Sequence, residues 1–500
     1  MAGSRYWRGL LLSGVGCVAS ASAPPPPILA AVGLSREGLP EAADALPADE
    51  RDLGGMGDHR EAPQAQPGAD PQHATAESEP AARRLTLPQL LALCLQQDPR
   101  LAAARAAVAQ AVAEARTAAQ LPNPILAASG TTLPFPGHPF SRTNEGGPPQ
   151  LDVSLGYAVD TWLFGKVASA GAAARHGVDA AIADYAEQVR RRLEAAIAAF
   201  HEVVERRELV ALAALDGAQL EGLRTVTERR LALGGISQIE LERLQVALAS
   251  SQRRLLSLQV GLLNSRARLQ AEAGQAPLAA PLEPEMRLPT AGGARPTETT
   301  TVADGSQQQR VLWERARAQR PDLLALVHRL TQAEASVRQE RRAALPSLHL
   351  SLGYARQFQR ASLGLPDIGS LDAGFSVSLP VVDLNRGPIG RAEAQVQRLR
   401  AQLKAAQIQL WSELGQALAS LKLANSLLGL FDAGALSAAS IALQHTSEGY
   451  RLGGRTLLEV LDAQTAYRDV YRDYVQANVA QARAQLTLRL AVGGAPLSPL

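Results

Sequence analysis

YRLGGRTLLEVLDAQ, residues Tyr450–Gln464, is the stretch on which the reading of the fold turns. A Leu-Gly-Gly interrupts a long helical pattern, and a new helical pattern starts two or three residues later. Glycine ends helices because it alone enters the left-handed conformation at little cost. Thr456 stands three residues ahead of Glu459, the spacing of a capping box. A weaker copy, LALGGISQIELERLQ, occupies Leu231–Gln245, with Ser237 ahead of Glu240. Each copy reads as the tight tip of a helical hairpin, and two tips in equivalent places make the chain a repeat.

The repeat extends outward from the tips. Asp98-Pro99 and Arg320-Pro321 each break a helical pattern, and Pro124 and Pro346 follow 25 residues later in both halves. Gly234 and Gly453 are 219 residues apart, as are Gly274 and Gly493 near the ends of the halves. The chain therefore divides into a first repeat (85–276), a linker rich in Pro, Thr and Gly (277–310), a second repeat (311–495) and a short tail (496–500). Residues 24–84 are rich in Pro, Ala and acidic residues without periodicity, and are expected to be disordered. Residues 1–23 read as a signal peptide: Arg5 and Arg8, the apolar run Gly9–Val18, then Ala19-Ser20-Ala21. Lipidation at Cys17 is the alternative fate of that leader. The other of the two cysteines, Cys94, is expected to be an apolar filler.

Between each proline and its long helix the period is two. Leu348, Leu350, Leu352 and Tyr354 alternate with Ser347, His349, Ser351 and Gly353; Ala373, Phe375, Val377 and Leu379 alternate with Asp372, Gly374, Ser376 and Ser378. In the first half Leu151, Val153, Leu155, Tyr157 and Val159 alternate with Asp152, Ser154, Gly156, Ala158 and Asp160, and a less regular partner spans 125–135. Each half thus offers two strands of the length and pattern of a tilted transmembrane β-strand. No proline interrupts 150–276 or 389–495, so about 60 helical residues precede each tip, a rod of ~90–100 Å. The return helix carries a heptad, Leu241, Leu244, Leu248, Ser251, Leu255, Leu258, Leu262, Ser265 and Leu269, whose phase recurs from Val460 to Leu488.

No stretch after the leader reads as ~20 uninterrupted apolar residues, so a membrane would have to be crossed by strands. Four strands cannot close a barrel, which needs at least eight, and a sheet edge cannot face lipid. Strands must be shared between copies; a threefold ring of four-stranded chains gives roughly twelve. The expected fold is mainly α with β. Tandem-duplicated antiparallel helical hairpins form an α-barrel, and four transmembrane strands per chain contribute to a trimeric 12-stranded β-barrel in the outer membrane. The balance of 50 basic and 48 acidic residues argues against a nucleic-acid partner. No enzyme motif emerges: Gly165-Lys166 lacks the phosphate-loop glycine and hydroxyl, and the eight histidines show no paired ligand spacing. No metal site or cofactor is expected.

With these motifs in view, the chain resembles the TolC-like outer membrane efflux proteins over nearly all of 85–495. The duplicated plan, the tip GGRTLLEVLDAQ and the segment Leu379–Gly387 (LPVVDLNRG) carry the resemblance; LPNP at 121–124 and PVVDLNRG look most like the cobalt–zinc–cadmium resistance branch. The resemblance implies a homotrimeric exit duct in the outer membrane of a Gram-negative bacterium, with a long periplasmic extension. It would be docked to a periplasmic adaptor and a proton-driven inner-membrane pump, with metal cations as cargo. Arg455, Glu459 and Asp462 share a helix face, so three copies would ring the narrow end with charge. Similarity to the family implies that Tyr450 and Arg455 bond to the first tip, where Glu240 holds the matching acidic position, and so close a periplasmic gate. Arg243 stands where an acid equivalent to Asp462 would be. Leu233, Gly234, Gly235, Leu452, Gly453 and Gly454 resemble the family's adaptor-contact tips. The alternatives are a periplasmic coiled-coil adaptor, a helical scaffold, or an exit duct for secreted polypeptides.

Overall fold

The computed structural model describes residues 83–133, 148–275, 280–286, 288, 305–359 and 365–494. The leader with Cys17, most of the Pro/Ala-rich segment and the tail 496–500 lie outside the described residues. The first half runs β1 (Arg83–Leu85), α1 (Leu87–Gln97), α2 (Pro99–Ala118), β2 (Ile125–Thr131), β3 (Gln150–Ala158), α3 (Asp160–Leu163), α4 (Lys166–Ala232) and α5 (Gln238–Glu272). After β4 (Leu282–Pro284) come α6 (Gly305–Gln319), α7 (Pro321–Ala343), β5 (Ser347–Gln357) and β6 (Ile368–Ser378). The second hairpin is α8 (Arg386–Leu430), a π-helical turn (Phe431–Ala435), α9 (Leu436–Arg451) and α10 (Leu457–Ala491). At 67 residues, α4 alone is about 100 Å long.

Four strands form one antiparallel sheet in the order β2-β3-β5-β6. Leu155 lies opposite Leu126 on one side and Leu352 on the other. Leu350 lies opposite Tyr157 and Phe375, and Tyr354 opposite Val153 and Leu371. These side chains share a face that no described residue covers: Leu126 is 71% exposed, and Leu371 and Phe375 are each 75% exposed. The other face carries Ser154, Gly353 and Asp372 in one register row. β2 stops at Thr131, short of the expected 135, and residues 134–147 lie outside the described set.

The main core lies where α1 and α2 pack on the upper part of α4, around Leu90, Val189, Leu193, Phe200 and Leu269. Arg192 of α4 donates to Asp98 Oδ2 at 2.9 Å and to the Glu272 carboxylate, tying the α1–α2 corner to the end of α5. Burial works against the Asp98 carboxylate, but hydrogen bonds from the Arg100 backbone, Arg192 and the Arg100 side chain outweigh it and hold its pKa below the usual range. That contribution is whole above the unfolded carboxylate pKa and is lost as pH falls through the lowered one. Beside it Cys94 is fully buried, and burial pushes its thiol up to about 11, so it stays a protonated filler at neutral pH.

Several expectations need correcting. Residues 83–84, assigned to the disordered segment, join Leu85 in β1, which pairs in parallel with β4 from inside the linker. Buried Leu85 and Leu282 specify this pairing, and a three-residue strand is too short to show a period. Helix α6 likewise starts at Gly305 rather than 311. Ser237 makes no side-chain cap bond, whereas Thr456 forms the full capping box with Glu459. The second long helix is not uninterrupted: Gly434 sits at φ 107° in the π turn, where Phe431 packs edge-on against Tyr474 at 5.6 Å. The rod Arg386–Arg451 also holds a mostly exposed stretch that is long and apolar enough, by length and composition, to cross a bilayer. Its packing along α10 places it among the paired helices.

The glycine pair Gly274 and Gly493 explains why both halves end alike. Both have positive φ, 71° and 84°. A Cβ at Gly274 would meet the Asp98 Cα at 2.6 Å, and one at Gly493 would meet the Gln319 backbone at 3.0 Å, so each closes its half against the residues before the Pro99 or Pro321 corner. Gly274→Ala should therefore cost on the order of 3 kcal/mol through combined strain and overpacking. Gly234→Ala, with nothing within 4 Å of the added carbon, should cost only about 1 kcal/mol. Comparable losses in thermal melting for the two variants would contradict this.

Candidate functional site

Two places on the molecule are built for function, the junction of sheet and rods and the tips of the hairpins. At the junction each strand pair hands over to its rod through a residue in the left-handed region, Gly165 at φ 63° and Asn385 at φ 55°. Asn385 explains much of the DLNRG segment: its N–H donates to Asp383 Oδ1 at 2.9 Å, and its Nδ2 donates to Glu340 Oε2 at 2.9 Å. In the first half Lys166 donates to Asp160 Oδ2 at 2.7 Å and to the Leu345 carbonyl at 3.1 Å, so the two halves are stitched together here. Trp162 and Val382, at matching places 220 residues apart, are 57% and 98% exposed. An exposed tryptophan beside an apolar sheet suits the water–lipid boundary.

At the tips, Gly234 and Gly453 have φ of 73° and 87°. Gly235 N–H donates to the Arg230 carbonyl and Gly454 N–H to the Gly449 carbonyl, both at 2.9 Å, the six-to-one bond of a Schellman turn. Both turns lie at the ends of the rods, and Leu233 and Leu452 project from them, 86% and 88% exposed. The two tips are packed side by side over a small core of Leu220, Leu223, Leu244, Tyr450, Leu457 and Val460.

Tyr450 is the hinge-pin of that core. It is fully buried, and its hydroxyl lies 2.9 Å from Thr227 Oγ1 of α4. Arg230 lays its guanidinium over the Tyr450 ring, 4.8 Å from the centroid, and donates to the Tyr450 carbonyl at 3.0 Å. Sequence reasoning missed both Thr227 and Arg230. Their signal was available in principle, because they lie one and two turns before the tip on the face that meets the second hairpin.

Arg455 departs from expectation. It donates to Glu459 Oε1 at 3.2 Å, within its own hairpin, rather than bonding to the first tip. The capping box decides this: Thr456 N–H to Glu459 Oε2 at 2.8 Å fixes the carboxylate one turn from Arg455. The Thr456 backbone bond, aided by Arg455, holds the Glu459 carboxyl below the usual range. Asp462 is exposed on the same helix, and Glu240 is half-buried with Oε2 unpartnered inside this chain.

The outer membrane efflux protein family matches residues 312–494 by its family model, the whole second half from α6 to the last glycine turn. Over that half the chain is similar to outer membrane efflux proteins. The outer membrane channel VceC of Vibrio cholerae superposes with a TM-score of 0.64 at 24% identity, covering 82% of this chain and 96% of VceC. The CmeC outer membrane channel of Campylobacter jejuni superposes with a TM-score of 0.65 at 17% identity, covering 87% of this chain and 94% of CmeC. The pyoverdine export outer membrane protein OpmQ of Pseudomonas putida is 25% identical over 284 residues, 55% of this chain and 56% of OpmQ. The chain thus matches a little over half the length of that curated relative.

Proposed function

We propose that the protein is the outer membrane exit duct of a tripartite efflux system, a homotrimer that passively conducts cargo from an inner-membrane pump through a periplasmic adaptor. One observation carries this reading: a four-stranded sheet with an uncovered apolar face and two unpaired edges, β2 and β6, continuous with hairpins about 100 Å long. Unpaired strand edges are untenable in lipid, and neighbouring copies supply the missing partners. The exposed leucines at the tips are the surface offered to an adaptor, and the Tyr450 cluster is the periplasmic gate. Among the described residues no three His, Cys, Asp or Glu side chains stand close enough to hold a metal ion.

Metal cations are the cargo class implied by the LPNP and PVVDLNRG segments. A second reading follows from the similarity to OpmQ, a pyoverdine export protein. A deletion strain separates them. Loss of cobalt, zinc or cadmium resistance with normal pyoverdine release supports metal export, and the reverse pattern supports the second reading. In either case the protein should fractionate with the outer membrane as a heat-modifiable trimer. A soluble monomer would contradict the duct.

A further inference from the structure

Among the described residues, buried polar ties join α4 to the second hairpin at two levels, and the Tyr450 cluster contains only the lower one. That is the Thr227–Tyr450 hydroxyl pair at the tip. The upper lies eleven residues, about 16 Å, further up α4 at Asp216, which is 4% exposed. Gln464 of α10 donates its Nε2 to Asp216 Oδ1 at 2.8 Å and to the Asp216 carbonyl at 3.3 Å. Ser251 Oγ of α5 donates to Asp216 Oδ2 at 3.1 Å, and the Arg254 guanidinium stands 3.6 Å from the same oxygen. Gln464 and Ser251 are buried as deeply as the carboxylate they hold. One acid therefore fixes α10 against α4 and α5 at a single level.

The two ties respond differently to separation. The tip is the open end of the rods, so hydroxyls freed there are hydrated as the hairpins part. Asp216 has no such access, and a carboxylate drawn off its donor there is left buried and short of a partner, a costly state. Hydrogen bonds to a carboxylate are also roughly twice as strong as those between neutral groups. The second hairpin carries a matching weak point. Its outward rod is interrupted at the π turn Phe431–Ala435, where Gly434 has φ 107°, whereas α4 runs unbroken from Lys166 to Ala232. Below that turn α9 buries a single residue in this chain, Tyr450. We propose that Asp216 is a positioning residue of the gate, the pin that keeps Gln464 seated while α9 and the first two turns of α10 swing away from α4. This rests on reading the Tyr450 cluster as the gate.

Hydrogen exchange read by mass spectrometry on the full-length assembled protein tests the pin. In Tyr450→Ala, fast exchange along α10 should stop at Gln464. Adding Gln464→Met, close in volume but without a donor, should carry it up to Tyr474, which packs against Phe431 of the π turn, with exchange across 465–474 at least about tenfold faster. Gln464→Met alone, with Tyr450 still seated, should leave that stretch slow. Ser251→Ala on the Tyr450→Ala background cuts the α5 bond but not the α10 bond, and should leave the boundary at Gln464. A node that only adds stability would loosen with either change. If Gln464→Met fails to assemble, Asp216→Asn weakens the same bond isosterically and should move the boundary in the same direction. A boundary that stays at Gln464 in the double variant overturns the pin, and so does one that Gln464→Met shifts by itself or that Ser251→Ala shifts equally. The gate fails separately: conductance unchanged in Tyr450→Ala would sink that reading whatever the exchange shows.

Discussion

Replacing Leu352 by arginine should leave almost no assembled trimer in the outer membrane. Leu352 is the central residue of β5, it lies opposite Leu155 and Ala373, and it is 55% exposed on the uncovered face. An arginine on the lipid face near mid-bilayer costs about 2–4 kcal/mol per copy, and a threefold ring incurs that cost three times over. The neighbouring residue faces the other way, so Ser351→Arg places the same charge on the polar face of the sheet. It should leave assembly largely intact. Heat-modified and unheated gels of the membrane fraction would read both variants. Equal yields of the two would mean that the alternating faces have been assigned to the wrong solvents.

The second large effect is expected at the tips. Tyr450→Ala deletes a fully buried aromatic from the shared core of both hairpins, a loss of about 3–5 kcal/mol of local packing. The closed tip should loosen, and single-channel recordings in planar bilayers should show a clear rise in conductance. Arg230→Ala is the finer probe. It removes the guanidinium over the ring, worth about 0.5–2 kcal/mol, together with a hydrogen bond to a carbonyl that still accepts from the Gly453 N–H. Conductance should rise less than with Tyr450→Ala. Arg455→Ala removes an exposed pair with Glu459, worth about 0–1 kcal/mol, and should change conductance least. The reverse ranking would move the gate from the Tyr450 cluster to the charged face.

Much of this architecture was legible before any coordinates. The glycine tips, the proline corners and the period-two segments are local signals, set by backbone conformation and by which solvent each side chain meets. They located the hairpins and strands because helix stops and lipid-facing alternation need no distant partner to be recognised. What escaped has a common cause. The β1–β4 pairing and the Arg230–Tyr450–Thr227 contact join residues about 200 apart, and neither strand nor side chain announces its partner along the sequence. The Ser237 cap failed although its spacing was right, because spacing permits a hydrogen bond without aiming the side chain. For Arg455 the family pattern points to the other hairpin, while the capping box supplies a carboxylate one turn away.

The central claim is that separate copies complete one barrel by joining the free edges of β2 and β6. Cysteine pairs placed across that seam test it most directly. Ala128→Cys on β2 would be combined in turn with Leu371→Cys, Ala373→Cys and Phe375→Cys on β6, all on the same face of the sheet. Adjacent strands bring such residues within about 4.5–5.5 Å, inside disulfide reach. The account predicts that at least one pair, oxidised in intact membranes, yields a ladder on a denaturing gel that ends at three linked copies. A panel in which no pair links copies, or in which linking stops at two, would contradict it.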